Sequence, residues 1–338
     1  MLFIDNKGIT DPAINLALEE YVLRNLPLDE SCLLFYINKP SIIIGKNQNT
    51  VEEINADYVK QHDIQIVRRL SGGGAVYHDY GNLNYSILTK DDGQSFHNFG
   101  KFTKPVTDAL NKIGVEATLT GRNDIQVGER KISGNAQFFS KGRMFTHGTL
   151  LFDSQLAQVA SALNVKPMKI QSKSTKSVRS RVANISEFLP EPMTIEKFSE
   201  IIKAEVFQCD PQDIPVYPMT EDEWASVYRL ADEQYRSWEW NYGKSPKSNI
   251  ENAFKFASGI IDVRLQVEEG YIHHIRMLGD YFGAYDVAEL EELLVGVRYE
   301  EVELRSMLAK VDLSKYFGAI TAEELLALLL LQEIPAAN

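Results

Sequence analysis

Cysteine is nearly absent: Cys32 and Cys209 are the two in 338 residues. They offer no disulfide framework. The start, Met1-Leu-Phe-Ile-Asp-Asn-Lys-Gly8, shows no basic segment followed by an apolar run, so no signal peptide is expected. A reducing, cytoplasmic setting is the expectation. Long apolar runs are also lacking. The one conspicuous stretch, Leu325–Leu331, is too short to span a bilayer. Positive charge is in deficit, with 35 Lys and Arg against 47 Asp and Glu and a net charge of -12. That balance excludes broad binding to nucleic acid or to an anionic membrane, while leaving room for a local basic pocket. The six histidines, adjacent His273 and His274 among them, give no zinc-ligand spacing. No internal repeat or low-complexity segment occurs.

What the chain has is ordinary bulk and one unusual loop. A hydrophobic content of 44% and a charged content of 24% suit a soluble globular protein with room for two domains. The loop is Arg68-Arg-Leu-Ser-Gly-Gly-Gly-Ala-Val-Tyr-His-Asp79. Gly72 to Gly74 leave the backbone free of side chains, and successive N–H groups in such a turn can form an anion-binding concavity. Arg68 and Arg69 stand just before it, and guanidinium groups suit phosphate. The loop is not a P-loop, because no G-x-x-x-x-G-K-[ST] surrounds it. It is not a dinucleotide fingerprint either, since Tyr77 stands where a third glycine would fall. Gln65–Val67 before it and Ala75–Tyr77 after it favour strand, so it joins extended elements. A plain glycine turn without a ligand is the competing reading.

Other segments read as follows. Asp11 caps a helix opened by Pro12, with Ile14, Leu18, Tyr21 and Val22 on one face. Leu33–Ile37, Ile42–Ile44 and Leu83–Leu88 read as strands, and Asn55–His62 as a helix. A helix from about Lys104 to Ile113 precedes a strand meander, Ile125–Val127, Ile132–Phe139 and Met144–Phe152, with Gly128–Lys131 as a turn. Leu156–Leu163 and Ile195–Val206 are helical. Turn residues cluster in Trp238–Pro246, and a hinge is placed at Gly243–Ser248. Beyond it, Asn252–Gln266 is strand-like with Tyr271–Met277 as neighbour. Asp286–Leu294 and the run behind the Thr321–Glu324 capping box are helical. Glu289, Glu291, Glu292, Glu300, Glu301 and Glu303 read as a solvated face.

Joining a carboxylic acid to a lysine amine requires activation. ATP supplies it when the carboxylate attacks the α-phosphate, pyrophosphate leaves and an acyl-adenylate forms. That step needs positioning, cations and N–H donors more than a protein nucleophile. Arg68, Arg69, the glycine loop and Lys131 form such a set. A lone lysine near a turn is usually a solvated surface group. Gly134, three residues on within a strand, marks close approach by a ligand or another backbone, which favours a role for Lys131.

Five motifs occur in order: the glycine loop, Gly121-Arg-Asn-Asp-Ile125, Arg130-Lys-Ile-Ser-Gly-Asn-Ala136, His147-Gly-Thr-Leu-Leu151 and Ser177-Val-Arg-Ser-Arg-Val182. With Trp238–Pro246, they cover most of the chain, which thereby resembles the lipoate–protein ligase A family. The resemblance implies an α/β (α+β) fold. Its large mixed-sheet domain, over residues 1–245, is similar to biotin–protein ligases and class II aminoacyl-tRNA synthetases. A small α+β accessory domain, over 250–338, follows, and the Gly243–Ser248 hinge leads to the expectation that it moves during turnover. The implied activity converts free lipoate, or octanoate, with ATP to an acyl-AMP. The acyl group then passes to a lysine of lipoyl domains of 2-oxoacid dehydrogenase complexes or of the glycine-cleavage carrier protein. The implied nucleotide contacts are Arg69, Gly74, Ala75, Val76, Tyr77 and Lys131, and the implied lipoate contacts Lys131, Ser71 and Gly73. Lys131 is also the expected catalytic residue. Asn123, Asp124, His147 and Arg179 are further candidates. Asp124 either supports Mg²⁺ with the ATP phosphates or caps a turn. Lys173, Lys176, Arg179 and Arg181 form either a solvated loop or one that closes over the adenylate. His147 is more readily a packed strand histidine than a catalyst.

Three rivals remain. A cysteine-dependent octanoyltransferase needs an activated thiol, and neither Cys32, in an apolar strand, nor Cys209, far beyond the motifs, invites that role. A biotin–protein ligase carries a different glycine-rich signature. A non-enzymatic acyl-adenylate sensor wants a DNA-binding module and a basic face. ATP dependence, substrate choice and DNA affinity separate them in turn.

Overall fold

An unbroken apolar run forms strand β2 (Cys32–Ile37) and alternating apolar residues form β6 (Asn82–Lys90), which pair side by side within a seven-stranded mixed sheet. The computed structural model describes residues 1–121, 123–163, 182–242, 250–268 and 270–331. The sheet also contains β1 (Leu2–Ile4), β7 (Ala117–Thr120), β8 (Asp124–Val127), β9 (Arg130–Ser140) and β10 (Arg143–Leu151), in the order β1-β2-β6-β10-β9-β8-β7. β1 runs parallel to β2, and the other pairs are antiparallel. A small second sheet orders β4 (Gln65–Arg68), β3 (Ser41–Ile44) and β5 (Val76–His78). Helices α1 (Pro12–Asn25), α2 (Ala56–Gln61), α3 (Phe99–Lys112), α4 (Leu156–Ala162), α5 (Ile195–Phe207) and α6 (Glu221–Leu230) surround the sheets. One face of the large sheet packs on α3 and α5 through Phe102, Val106, Phe198 and Ile202. The other packs on α1 and α6, with Ile43 and Val67 of the small sheet in the same cluster.

Contacts divide the chain into two units. The first comprises Met1–Ile44, Thr50–Leu70 and Ala75–Asn241, and the second Gly45–Asn49, Ser71–Gly74 and Tyr242–Asn338. The second is built on β11 (Ile250–Phe256), β12 (Gly259–Glu268) and β13 (Tyr271–Gly279), an antiparallel sheet, with α7 (Val287–Leu294), α8 (Glu301–Leu308) and α9 (Ala322–Leu329) over a core of its own. Its two short segments are tied in by the Gly279 amide donating to the Asn47 carbonyl at 2.7 Å and by Lys46 pairing with Asp286 at 2.9 Å. A Cβ on Gly72 would stand 2.3 Å from the Tyr281 carbonyl oxygen, so only glycine fits there. No helix among the described residues is long and apolar enough to cross a membrane.

The structure corrects several expectations. Helix α3 starts at Phe99, capped by Asn98, and Pro105 sits within it. The carbonyl left without a donor belongs to exposed Lys101, where the loss is tolerable. Asn252–Gln266 is not one strand but the hairpin β11–β12, turning between Phe256 and Gly259. Strands β1 and β7 carried too few residues to show a period. Glu291 is not on a solvated face: it is buried and accepts from the Met277 amide at 2.6 Å. Burial pushes its carboxyl up, against that hydrogen bond and Arg276. The Gly243–Ser248 hinge lies outside the described residues.

Candidate functional site

Strand β9 begins one residue before Lys131, so this lysine is in the strand and not in the preceding turn. Ile125 faces Ser133 and Gln126 faces Lys131, which leaves Ile132 as an extra residue on β9. A bulge re-aims the side chains beside it. Ile132 joins the core on the α3–α5 face, while Lys131 turns to the face it shares with Gly134. Its ammonium lies 2.9 Å from where a Cβ on Gly134 would be, and 2.8 Å from Asp124 Oδ1. The close approach that Gly134 permits is thus made by Lys131 itself. With 36% of its side chain exposed, Lys131 still reaches solvent.

Asn123 and Asp124 are held where β8 begins. Asn123 Nδ2 donates to the Asn135 carbonyl at 2.6 Å, and Asn135 Nδ2 donates to the Asn123 carbonyl at 3.0 Å. The Tyr85 hydroxyl donates to Asn135 Oδ1 from the core face. This clamp, made before any ligand arrives, fixes Asp124 opposite Gly134. Asp124 is therefore an ion-pair partner of Lys131, a role the sequence did not show.

Two residues along β9, Ala136 stands opposite His147 on β10. Directly opposed residues share a face, as do residues two apart on a strand. His147 and Lys131 therefore face the same side. His147 Nδ1 lies 3.0 Å from Glu19 Oε1 of α1, and both groups are buried. Arg69 is buried as well, its Nη1 donating to the Ile43 carbonyl at 3.0 Å. Burial lowers its guanidinium to about 10, opposed by Tyr36 and Glu19.

Arg68 parts company with Arg69. Its Nε donates to the Trp240 carbonyl at 2.9 Å, and its Nη2 to Thr50 Oγ1 at 2.6 Å and the Asn241 carbonyl at 3.2 Å. Its backbone amide donates to Asn241 Oδ1 at 2.8 Å. The expectation that both arginines grip phosphate fails for Arg68, whose donors lock the Trp240–Asn241 turn onto β4. Val76 and Tyr77 open β5 directly after Ala75, and the Tyr77 hydroxyl donates to Gln158 Oε1 at 2.5 Å. Burial raises that phenol to about 12. Ser71, Gly73 and Gly74 belong to the second unit, where Ser71 is buried and Gly73 takes a φ of 91° that glycine tolerates. Arg179, with Lys173, Lys176 and Arg181, lies outside the described residues. Cys32 is buried, and burial pushes its thiol up to about 11, the wrong direction for a nucleophile.

The first part of the chain, residues 11–207, matches the family model "Lipoyl protein ligase A/B catalytic domain", and residues 245–329 match "Bacterial lipoate protein ligase C-terminus". Lipoate-protein ligase LplJ of Bacillus subtilis (strain 168) is 56% identical over 330 residues, covering 97% of this chain and 100% of that protein. The chain belongs to the lipoate–protein ligase family. Lipoate–protein ligase 1 of Staphylococcus aureus (strain Mu50 / ATCC 700699) is 53% identical, covering 97% of this chain and 100% of that one. Among solved structures, P. falciparum LipL1 in complex with lipoate superposes with a TM-score of 0.74 at 26% identity, over 92% of this chain and 94% of that one. A lipoate-protein ligase A bound with ATP gives 0.60 at 30% identity, over 69% of this chain and 94% of that one.

Within this ligase-family chain, sequence reasoning missed three buried polar residues: Glu19 of α1, Tyr36 of β2 and His78 of β5. Asn15 and Glu19, four apart and so on one face of α1, were the one available signal for Glu19. His78 stands within the glycine motif, where no neighbour in sequence gives it a role.

Proposed function

We propose that the chain activates lipoate with ATP to lipoyl-AMP and then transfers the lipoyl group to a lysine of an acceptor lipoyl domain. The observation that carries this reading is the Lys131 ammonium, laid over Gly134 on a rigid strand and backed by Asp124. Lys131 stabilises charge as the two anions meet and holds the mixed anhydride afterwards. In this assignment Arg69, Gly74, Ala75, Val76, Tyr77 and Lys131 contact the nucleotide, and Ser71, Gly73 and Lys131 contact lipoate. A Mg²⁺ brought in with ATP would take phosphate oxygens and the single carboxylate of Asp124, the sparse donor set that this hard cation accepts. Asn123 holds that carboxylate in place. Residues 1–245 form the catalytic domain and 250–338 the accessory domain. Octanoate is a second acyl substrate, and acceptors come from 2-oxoacid dehydrogenase complexes or the glycine-cleavage system.

Pyrophosphate release with lipoate, octanoate and biotin tests this reading. Lys131→Ala should slow release by roughly 10²–10³-fold, the scale of losing one electrostatic group. Transfer from synthetic lipoyl-adenylate should slow in the same variant, whereas Cys32→Ser and Cys209→Ser leave both steps near normal. Wild-type release in Lys131→Ala together with lost transfer in a cysteine variant would replace the ligase with the thioester rival.

A further inference from the structure

Four buried side chains of the first unit form a directed hydrogen-bond chain. Asn6 Nδ2 and Asn15 Nδ2 each donate to the Ile9 carbonyl at 2.9 Å, which fixes both amide orientations because a carbonyl can only accept. Asn6 Nδ2 also donates to Asn15 Oδ1 at 3.1 Å, and Asn15 Nδ2 to Asn38 Oδ1 at 2.9 Å. Asn38 therefore presents its amide hydrogens to His78 Nδ1, 3.0 Å away. A ring nitrogen that accepts carries no proton, so the neutral imidazole keeps its proton on Nε2. Neutrality is secured by burial, with Arg69 and His147 nearby, which pushes His78 down to about 3. The Nε2–H that results is buried and has no hydrogen-bond partner among the described residues. Buried donors without partners are rare and costly, and one held in place by three asparagines calls for an acceptor from outside the chain.

Its neighbours say which part of a substrate arrives. His78 interacts electrostatically with Arg69 and His147. His147 lies diagonally from Gly134, where the Lys131 ammonium rests, one strand over and two residues along, roughly 8 Å across the sheet. An acyl group with its carboxylate at Lys131 and its chain along that diagonal ends near the histidines. Resting on the ligase reading above, we propose that His78 is a specificity-determining residue: its Nε2–H donates to a ring sulfur of the dithiolane at the far end of the acyl chain. Sulfur is a weak acceptor, but a plain alkyl chain offers none and leaves the donor unpaired. A site built around a hydrogen bond disfavours the analogue that lacks it.

The test compares kcat/KM for pyrophosphate release with lipoate and with octanoate, beside calorimetric binding of each acid. His78→Leu should lower the lipoate-to-octanoate ratio by about fivefold, the worth of one modest hydrogen bond, through KM and not kcat. Octanoate activation should persist, and His78→Gln, which retains an N–H, should keep most of the ratio. The wild-type protein gives a second measurement that needs no folded variant. Lipoate should bind about fivefold more tightly than 5-cyclopentylpentanoate, in which methylenes replace both ring sulfurs. Equal binding of these two acids, or a ratio unchanged within twofold in His78→Leu, means the donor meets only an internal water and overturns the proposal. Equal losses on both acids overturn it too, while the ligase reading stands. A wild-type protein that releases pyrophosphate with neither acid overturns that reading and this one together.

Discussion

A histidine buried as deeply as His78 leaves a mark on acidification. An unfolded chain protonates it below about 6.5, whereas the folded protein holds it neutral down to about 3. Across that window the unfolded state binds more protons. Folding stability therefore falls as the pH drops from about 6.5 towards 3, at no more than about 1.4 kcal/mol per pH unit from this one group. Urea unfolding at pH 7 and pH 5 should show a shallower loss in His78→Gln than in the wild type, and parallel losses would remove His78 from the account. At this scale the sequence pointed to a close approach at Gly134, because strand glycine is informative by itself, and the group that makes it is Lys131. Asp124 stayed open between metal and turn, because its ion pair with Lys131 exists only once a bulge sets the register of β8 against β9.

Helix α1 shows what an element can hide. Its periodicity put Ile14, Leu18, Tyr21 and Val22 on one face, but the helix is buried nearly all round, between the sheet on one side and α6 with the turn Ala231–Tyr235 on another. That placement takes Asn15, Glu19 and Glu20 inside. Glu20 accepts from Arg24 Nε at 2.5 Å, Gln234 Nε2 at 2.8 Å and the Tyr235 hydroxyl at 2.7 Å. Removing a buried acceptor strands its donors. Glu20→Ala should cost about 2–4 kcal/mol in chemical denaturation, with donors left unpaired on both α1 and the Ala231–Tyr235 turn. An effect below about 0.5 kcal/mol would mean that water replaces the carboxylate there. The caps, by contrast, were readable from a few residues: Asp11 accepts from the Ala13 amide at 2.9 Å, and Thr321 with Glu324 closes its capping box.

Across the whole molecule, the second unit borrows Gly45–Asn49 and Ser71–Gly74 from the first third of the chain. A fragment of residues 250–338 would keep its core of Leu265, Tyr281, Phe317 and Leu325 but lose the Asn47 carbonyl on Gly279 and the Lys46 partner of Asp286. Calorimetry should find the fragment melting below the same core in the full chain, and an equal or higher midpoint would show that the borrowed segments contribute nothing. The sequence by itself determined what depends on nearby residues: most strands and helices, the caps, the extended flanks of the glycine loop, and the motif order that marks the family. Alternation, capping and turn chemistry act over a few residues, so they can be read in line. Only the tertiary structure decided which polar groups meet. The Arg68 backbone amide finds the Asn241 side chain across 173 residues and His147 finds Glu19 across 128, and nothing local prefers those partners. They are brought together by burial, since packing the sheet faces removes water from these groups and leaves each with whatever polar atom the fold sets beside it.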